Sequence, residues 1–306
     1  MTETKRDLVA EIKRLKQERS ALILGHYYQL PEVQDIADFV GDSLELSCRA
    51  ATTPAKVLLF CGVYFMAETA AVLSPEKAVV IPDLQAGCPL AAMITPEALK
   101  AKRSQLREAV VVTYVNTTAA VKAESDIVCT SANGPKVVRS LPPDSTILFV
   151  PDRNLGQWVA SQCPGRRLIL WDGYCPIHDQ IRPEDILQAK KEHPEAQVLA
   201  HPECRPEVLA LADRVGSTSG ILRFAREGTA REYIIVTEEG LLHQLRKENP
   251  GKEFYLASPR LICPDMKRIT LDKVYQALRF LEPRVEIPAP VRERAVLAVK
   301  RMLATG

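Results

Sequence analysis

The chain has 306 residues, 46% of them hydrophobic and 25% charged, with a formal net charge of +2. This is ordinary globular composition, and the small charge argues against a general nucleic-acid surface. No apolar run approaches the about 18–20 residues of a membrane span, and the charged N-terminus lacks a signal-peptide core, so a cytoplasmic protein is expected.

Hydrophobic periodicity divides the chain into three similar stretches. The first opens with a helix over Lys5–Ser20, with Leu8, Ile12 and Leu15 on one face. A strand over Ala21–Leu24 ends at Gly25-His26-Tyr27-Tyr28. A short helix over Pro31–Ala37 leads to a strand over Asp38–Gly41, which ends at Asp42-Ser43. A helix over Leu44–Ala51, a strand over Lys56–Phe60, a helix over Tyr64–Leu73 and a strand over Ala78–Ile81 then deliver Cys88.

The second stretch starts at Thr95-Pro96-Glu97, a good helix start because Thr caps and Pro suits the first turn. A strand over Ala109–Val112 ends at Thr113-Tyr114-Val115-Asn116. A helix over Thr118–Glu124 and a strand over Asp126–Cys129, ending at Thr130-Ser131, follow. Strands over Ile147–Val150 and Leu168–Trp171 flank a helix and deliver Cys175. The third stretch starts at Arg182-Pro183-Glu184. Its strand over Gln197–Ala200 ends at His201-Pro202-Glu203, and a helix over Pro206–Ala212 leads to Gly216-Ser217-Thr218. Strands over Tyr233–Val236 and Glu253–Ala257 lead to Cys263. A helix opened by Thr270 and an amphipathic stretch over Val291–Leu303 close the chain.

The register of these stretches is regular. His26 to Ser43, Tyr114 to Ser131 and His201 to Thr218 each span 17 residues, and the steps onward to the cysteines are 45, 44 and 45. The cysteines themselves lie 87 and 88 residues apart. Equal spacing of one phrase marks an internal repeat. Strands alternating with helices imply an α/β fold with parallel sheets and helices on both faces. The expected architecture is a pseudo-threefold repeat of three-layer αβα sandwiches around a central site. The units are expected over 1–94, 95–181 and 182–306, the last including the C-terminal helices. Ligands of parallel sheets bind past the strand carboxyl ends, which is where the repeated polar residues stand.

Eight cysteines in a cytosolic chain are not expected to form a disulfide framework. No C-x-x-C pair occurs, which removes zinc ribbons, ferredoxin runs and thioredoxin motifs. Cys88, Cys175 and Cys263 each lie beyond a strand and before a proline, so they are read as metal ligands. Three thiolates could hold zinc with His178 as fourth partner. They could equally hold a 4Fe-4S cluster with one iron open to substrate, and the all-cysteine, threefold arrangement favours the cluster. Cys48, Cys61, Cys129 and Cys163 are read as small buried hydrophobes. Cys204, His193 and His243 are given structural roles, and Arg292–Arg294 a solvated helix face.

His26, Tyr114, Asn116, His201 and Glu203 end the first strand of each stretch. They supply the acid/base and hydrogen-bonding groups that proton transfer on a small substrate requires. Glu203 is the expected carboxylate base. Ser43, Ser131 and Thr218 stand at or near helix starts, where they can cap the helix and also help bind an anion.

Taken together, these phrases resemble the quinolinate synthase A family. The stretches that carry the resemblance are Gly25-His26-Tyr27-Tyr28-Gln29, Pro31 to Ser43, Pro82-Asp83-Leu84-Gln85-Ala86-Gly87-Cys88 and Tyr114-Val115-Asn116. Further matches are Cys129 to Asn133, Trp171-Asp172-Gly173-Tyr174-Cys175 with His178, His201-Pro202-Glu203-Cys204, Gly216-Ser217-Thr218 and Cys263-Pro264-Asp265-Met266-Lys267. The resemblance implies a transferase of NAD biosynthesis that condenses iminosuccinate with dihydroxyacetone phosphate to quinolinate, phosphate and two waters. It also implies a 4Fe-4S cluster on Cys88, Cys175 and Cys263, with the open iron as Lewis acid. By motif, substrate binding falls on His26, Ser43, Tyr114, Val115, Asn116, Ser131, His178, His201, Pro202, Glu203 and Thr218. Glu203, His201, Tyr28 and Tyr114 are the implied catalytic groups. L-aspartate oxidase or an aspartate dehydrogenase is the implied supplier of iminosuccinate. An aconitase-type hydro-lyase and a zinc-stapled scaffold are the rival readings.

Overall fold

The computed structural model of the chain describes residues 3–106 and 108–305. The first sheet holds β1 (Ala21–His26), β2 (Phe39–Gly41), β3 (Val57–Cys61) and β4 (Ala78–Val80). The second holds β5 (Val110–Tyr114), β6 (Ile127–Cys129), β7 (Thr146–Val150) and β8 (Arg167–Leu170). The third holds β9 (Gln197–Ala200), β10 (Arg214–Val215), β11 (Glu232–Val236) and β12 (Glu253–Leu256). Every pairing between these strands is parallel, and the three orders are β2-β1-β3-β4, β6-β5-β7-β8 and β10-β9-β11-β12. The expected tripled α/β architecture is therefore the observed one.

This order makes β1, β5 and β9 the strands at which the winding reverses direction. Such a reversal opens a crevice beyond the carboxyl end of the strand. Because all strands within a sheet are parallel, all their carboxyl ends lie on one edge of that sheet.

One aspartate per unit fixes the register. Asp38, Asp126 and Asp213 each accept a hydrogen bond from a first-strand backbone N–H fifteen residues earlier: Ile23 at 2.8 Å, Val111 at 2.8 Å and Val198 at 2.7 Å. Each also donates its own N–H to the carbonyl of that same residue. The paired contact sets where the second strand joins the first, so the repeat in sequence is repeated in hydrogen bonding.

A single apolar cluster runs through all three units, from Leu58 and Phe60 through Val112 and Phe149 to Ile235 and Phe254. Each unit keeps a smaller cluster on its outer face. The first of these is completed from both ends of the chain. Ile12 and Leu15 of the opening helix (Glu3–Glu18) pack with Val274 and Leu278 of the helix Leu271–Phe280. The last helix, Ala289–Thr305, buries Ala295, Ala298, Val299 and Met302. That spacing gives a stripe along one face, and the stripe contacts β6 and the helices Ala119–Lys122 and Tyr64–Leu73.

Some boundaries differ from those expected. The opening helix stops before Ser20, whose φ of 48° is left-handed and cannot continue it. A helix over Gly134–Ser140 and the two-residue β10 were not anticipated. No helix among the described residues is long and apolar enough to cross a membrane.

Candidate active site and metal centre

The three sheet edges face one cavity of about 240 Å³. His26 ends β1 and Tyr28 follows it, Tyr114 ends β5 and Asn116 follows it, and His201 and Glu203 follow β9; all six line the cavity. Past the second strands, Ser43, Ser131 and Thr218 line it, and past the fourth strands, Cys88, Cys175 and Cys263. His178, on the short helix Pro176–Asp179, completes the set.

Two expected substrate contacts, Val115 and Pro202, do not line the cavity. Each sits between two residues that do, in the turn just beyond the strand. Val115 packs into the core and donates its N–H to the Cys129 carbonyl at 2.8 Å.

The cap positions also differ. Asp42, not Ser43, caps the helix Ser43–Thr52, accepting from the N–H groups of Leu44 and Glu45 at 3.0 Å each. Ser217, not Thr218, caps the helix Thr218–Glu227, accepting from Gly220 N–H at 3.2 Å. Ser131 stands in a turn ahead of Asn133, the cap position of the helix Gly134–Ser140. Asp42 and Ser217 thus do the capping, which leaves the Ser43 and Thr218 hydroxyls available to the cavity.

Two histidines are oriented by their own turns. His26 Nδ1 accepts from Tyr28 N–H at 3.1 Å, and His201 Nδ1 accepts from Glu203 N–H at 3.3 Å. The proton of each neutral ring therefore sits on Nε2. Burial depresses both rings to about 3, so both are neutral at physiological pH.

Glu203 is the electrostatic centre. Its Oε2 lies 2.8 Å from His178 Nδ1 and 3.4 Å from His201 Nδ1. Its Oε1 is buried with no hydrogen-bond partner. Burial opposes its ionisation, but the hydrogen bonds from His178 and Tyr114 favour the carboxylate, and the carboxyl is held below its usual range. Burial pushes the Tyr28 and Tyr114 phenols well up, so both remain O–H donors.

The three cysteine turns are alike in hydrogen bonding as well as in sequence. Backbone N–H groups three residues on, from Ala91, His178 and Met266, point at Cys88, Cys175 and Cys263. Such donors favour thiolate. Burial acts the other way and pushes Cys88 up to about 12 and Cys263 to about 11. Only a bound cation would tip such buried sulfurs to the ionised form. Among the described residues, Cys175 Sγ, His178 and Glu203 also form a group whose ligand atoms lie within 4.8 Å of one another, close enough to hold a metal ion.

A profile of the quinolinate synthetase A proteins matches residues 10–304. A quinolinate synthase of Desulforudis audaxviator is 60% identical over 298 residues, covering 97% of this chain and 98% of the relative. That of Thermodesulfovibrio yellowstonii is 52% identical over 295 residues, 96% of this chain and 97% of the relative. Quinolinate synthase 1 of Methanosarcina acetivorans is 51% identical over 298 residues, 97% of each chain. The chain belongs to the quinolinate synthase A family.

In this member of the quinolinate synthase A family, four side chains around the cavity escape sequence reasoning. Asp152 and Glu238 follow the third strands β7 and β11 and are buried. Asp152 Oδ2 accepts from Cys175 N–H at 3.1 Å, and Glu238 Oε1 accepts from Cys263 N–H at 3.0 Å. Val63 stands at the matching place before Cys88, and that turn is held by main chain, Tyr64 N–H to the Ala86 carbonyl at 2.7 Å. Asp42 Oδ2 accepts from Ser219 Oγ at 2.6 Å and so ties the first unit to the third. The fourth is Thr237, also buried. The third-strand ends Val63, Asp152 and Glu238 share a position in the three units but not a residue type.

Met266 lines the cavity, while Lys267 pairs with Glu238 at 2.8 Å behind it. Cys61, Cys129, Cys163 and Cys204 are buried as expected, but Cys48 is exposed, because it lies on the outer face of the helix Ser43–Thr52. His193 stacks on Tyr255 and His243 pairs with Asp35 at 2.9 Å, both away from the cavity.

Gly173 sets the approach of the Cys175 turn. Its N–H donates to the Pro151 carbonyl at 3.0 Å, and a Cβ added there would lie 2.4 Å from that oxygen. Gly173→Ala is expected to cost about 1–3 kcal/mol of stability and to displace Cys175. Denaturant midpoints and iron content of the purified variant measure the two effects; an unchanged midpoint contradicts the close packing inferred here.

Proposed function

We propose that the chain condenses iminosuccinate with dihydroxyacetone phosphate, giving quinolinate, phosphate and two waters, in cytoplasmic NAD biosynthesis. The observation that carries this reading is the convergence of three like cysteine turns and three polar strand ends on one cavity. Cys88, Cys175 and Cys263 fit a 4Fe-4S cluster. A single zinc, with bonds of about 2.3 Å, needs sulfurs within about 4.6 Å of one another, and these three do not form such a group. When bound, the cluster supplies an open iron that acts as a Lewis acid on substrate oxygen or nitrogen.

The chain's own residues divide the remaining work. The Ser43, Ser131 and Thr218 hydroxyls suit substrate carboxylates and phosphate. Asn116 Oδ1 is buried without a partner and accepts a hydrogen bond from a substrate donor. His26 and His201 present Nε2–H to the cavity. A carbon–carbon bond forms as the phosphate ester bond breaks, the imine nitrogen closes on the carbonyl, and two waters depart. Glu203 takes protons at Oε1, and Tyr28, Tyr114 and His201 give and recover them. An L-aspartate oxidase or aspartate dehydrogenase would supply the iminosuccinate. Residues 1–94, 95–181 and 182–306 are taken as the three repeat units.

Anaerobic purification, an iron and sulfide count and a quinolinate assay with both substrates test the reading. Four irons, four sulfides and quinolinate with equimolar phosphate are expected. A colourless zinc protein, or turnover of one substrate without phosphate, would falsify it.

A further inference from the structure

We propose that Lys122 supplies a buried positive charge on the Cys88 side of the site and thereby sets the reduction potential of the bound cluster. The inference rests on the cluster reading given above. Lys122 is fully buried and does not line the cavity. It ends the short helix Ala119–Lys122, and its Nζ donates to the Thr117 carbonyl. Nζ also lies 5.4 Å from the centre of the Phe65 ring, and both Phe65 and Cys88 line the cavity.

The repeat separates the hydrogen bond from the charge. Lys122 stands eight residues past Tyr114, as Gln34 stands past His26 and Leu209 past His201. Gln34 Nε2 donates to the Gln29 carbonyl at 2.8 Å, five residues back, which is the contact that Lys122 makes to Thr117. A neutral amide therefore serves the first unit, and a leucine with no donor serves the third. Holding this turn does not require an ammonium, and burial disfavours one. The charge at Lys122 calls for a separate reason.

The surroundings of Nζ point to that reason. Glu68, on the helix Tyr64–Leu73, accepts from Ala119 N–H at 3.1 Å. Among the described residues no carboxylate hydrogen-bonds to Lys122. Lys267, by contrast, is paired with Glu238 at 2.8 Å. Burial lowers Lys122 to about 7, while the charges of Glu68 and Cys88 act to raise it. The Cys88 sulfur acts on Lys122 and not on Glu68, so the ammonium is the member of that pair turned toward the sulfur. Three thiolates outweigh the positive charge of an oxidised 4Fe-4S core, and an added electron makes the whole more negative. A cation held in a medium of low polarity favours the added electron. The matching Gln34 and Leu209 bring no such charge to the other two turns.

The test compares Lys122→Gln, which keeps a donor in the manner of Gln34 and removes the charge, with Lys122→Met, which removes both. Redox titration of the reconstituted proteins, followed by electron paramagnetic resonance, reads the effect. In both variants one-electron reduction of the cluster is expected to become about tenfold less favourable, a fall of about 59 mV in midpoint potential. Lys122→Gln should keep four irons and the wild-type melting midpoint. A reduction equilibrium within about twofold of wild type in Lys122→Gln, or one that becomes more favourable, overturns the inference, as does failure of that variant to hold four irons. A shift confined to Lys122→Met marks Lys122 as structural only and overturns it as well; if Lys122→Met does not fold, Lys122→Gln decides alone. If wild type holds the cluster but makes no quinolinate, the functional reading fails and the potentials still decide the role of Lys122. If wild type holds no iron, the cluster reading fails and the inference falls with it.

Discussion

Glu203→Gln is expected to lower turnover by about 10²- to 10⁴-fold, the usual worth of a positioned acid/base group. The substitution keeps the shape of the side chain, so the fold and the cysteine turns should persist. It removes the one buried atom in the site that is both basic and unpartnered, Oε1. It also places an amide against His178, whose Nδ1 lies 2.8 Å from the carboxylate oxygen. Steady-state assays with both substrates, run beside the visible spectrum, measure the effect. Retention of activity within a few-fold, with the spectrum intact, would mean that another group moves the protons.

If the proposed cluster is held by Cys88, Cys175 and Cys263, changing any one of them to Ser removes it and with it all measurable activity. The three sulfurs have no substitute nearby, since Cys61, Cys129, Cys163 and Cys204 are buried in cores or behind the site and Cys48 is exposed. A serine oxygen is a harder and less acidic donor than a thiol, poorly matched to iron–sulfur chemistry. Cys48→Ser and Cys61→Ala serve as controls and should keep full iron and sulfide content. Iron analysis and absorption of anaerobically reconstituted variants provide the comparison. A serine variant that retains four irons would show that the turn carrying it is not a ligand turn.

Much of this fold is legible because its strands are short, apolar and ended by polar residues at a constant interval. Leu58 to Phe60 and Val198 to Ala200 read as buried strands because parallel sheets are covered on both faces. β10 has two residues and no pattern to read. The docking of Ala295, Ala298 and Met302 on the first two units depends on contacts more than a hundred residues away in the chain, and local periodicity reports only that the helix has an apolar face.

The site was legible where the units agree and obscure where they differ. His26, Tyr114 and His201 recur in register, as do the cysteines. The third-strand ends read Val63, Asp152 and Glu238, three unlike residues whose common position is hidden by their chemistry. Capping by Asp42 and Ser217 lies one residue away from the aligned hydroxyls, within the usual uncertainty of a helix boundary.

The arrangement of the last two helices bears on how the chain is made. The first sheet leaves the ribosome well before Leu278 and Met302, which roof it and wedge it against its neighbour. Contacts this distant in sequence raise the contact order and slow the search for the native state. Nascent chains lacking these helices expose apolar surface, the condition under which chaperones engage a growing polypeptide.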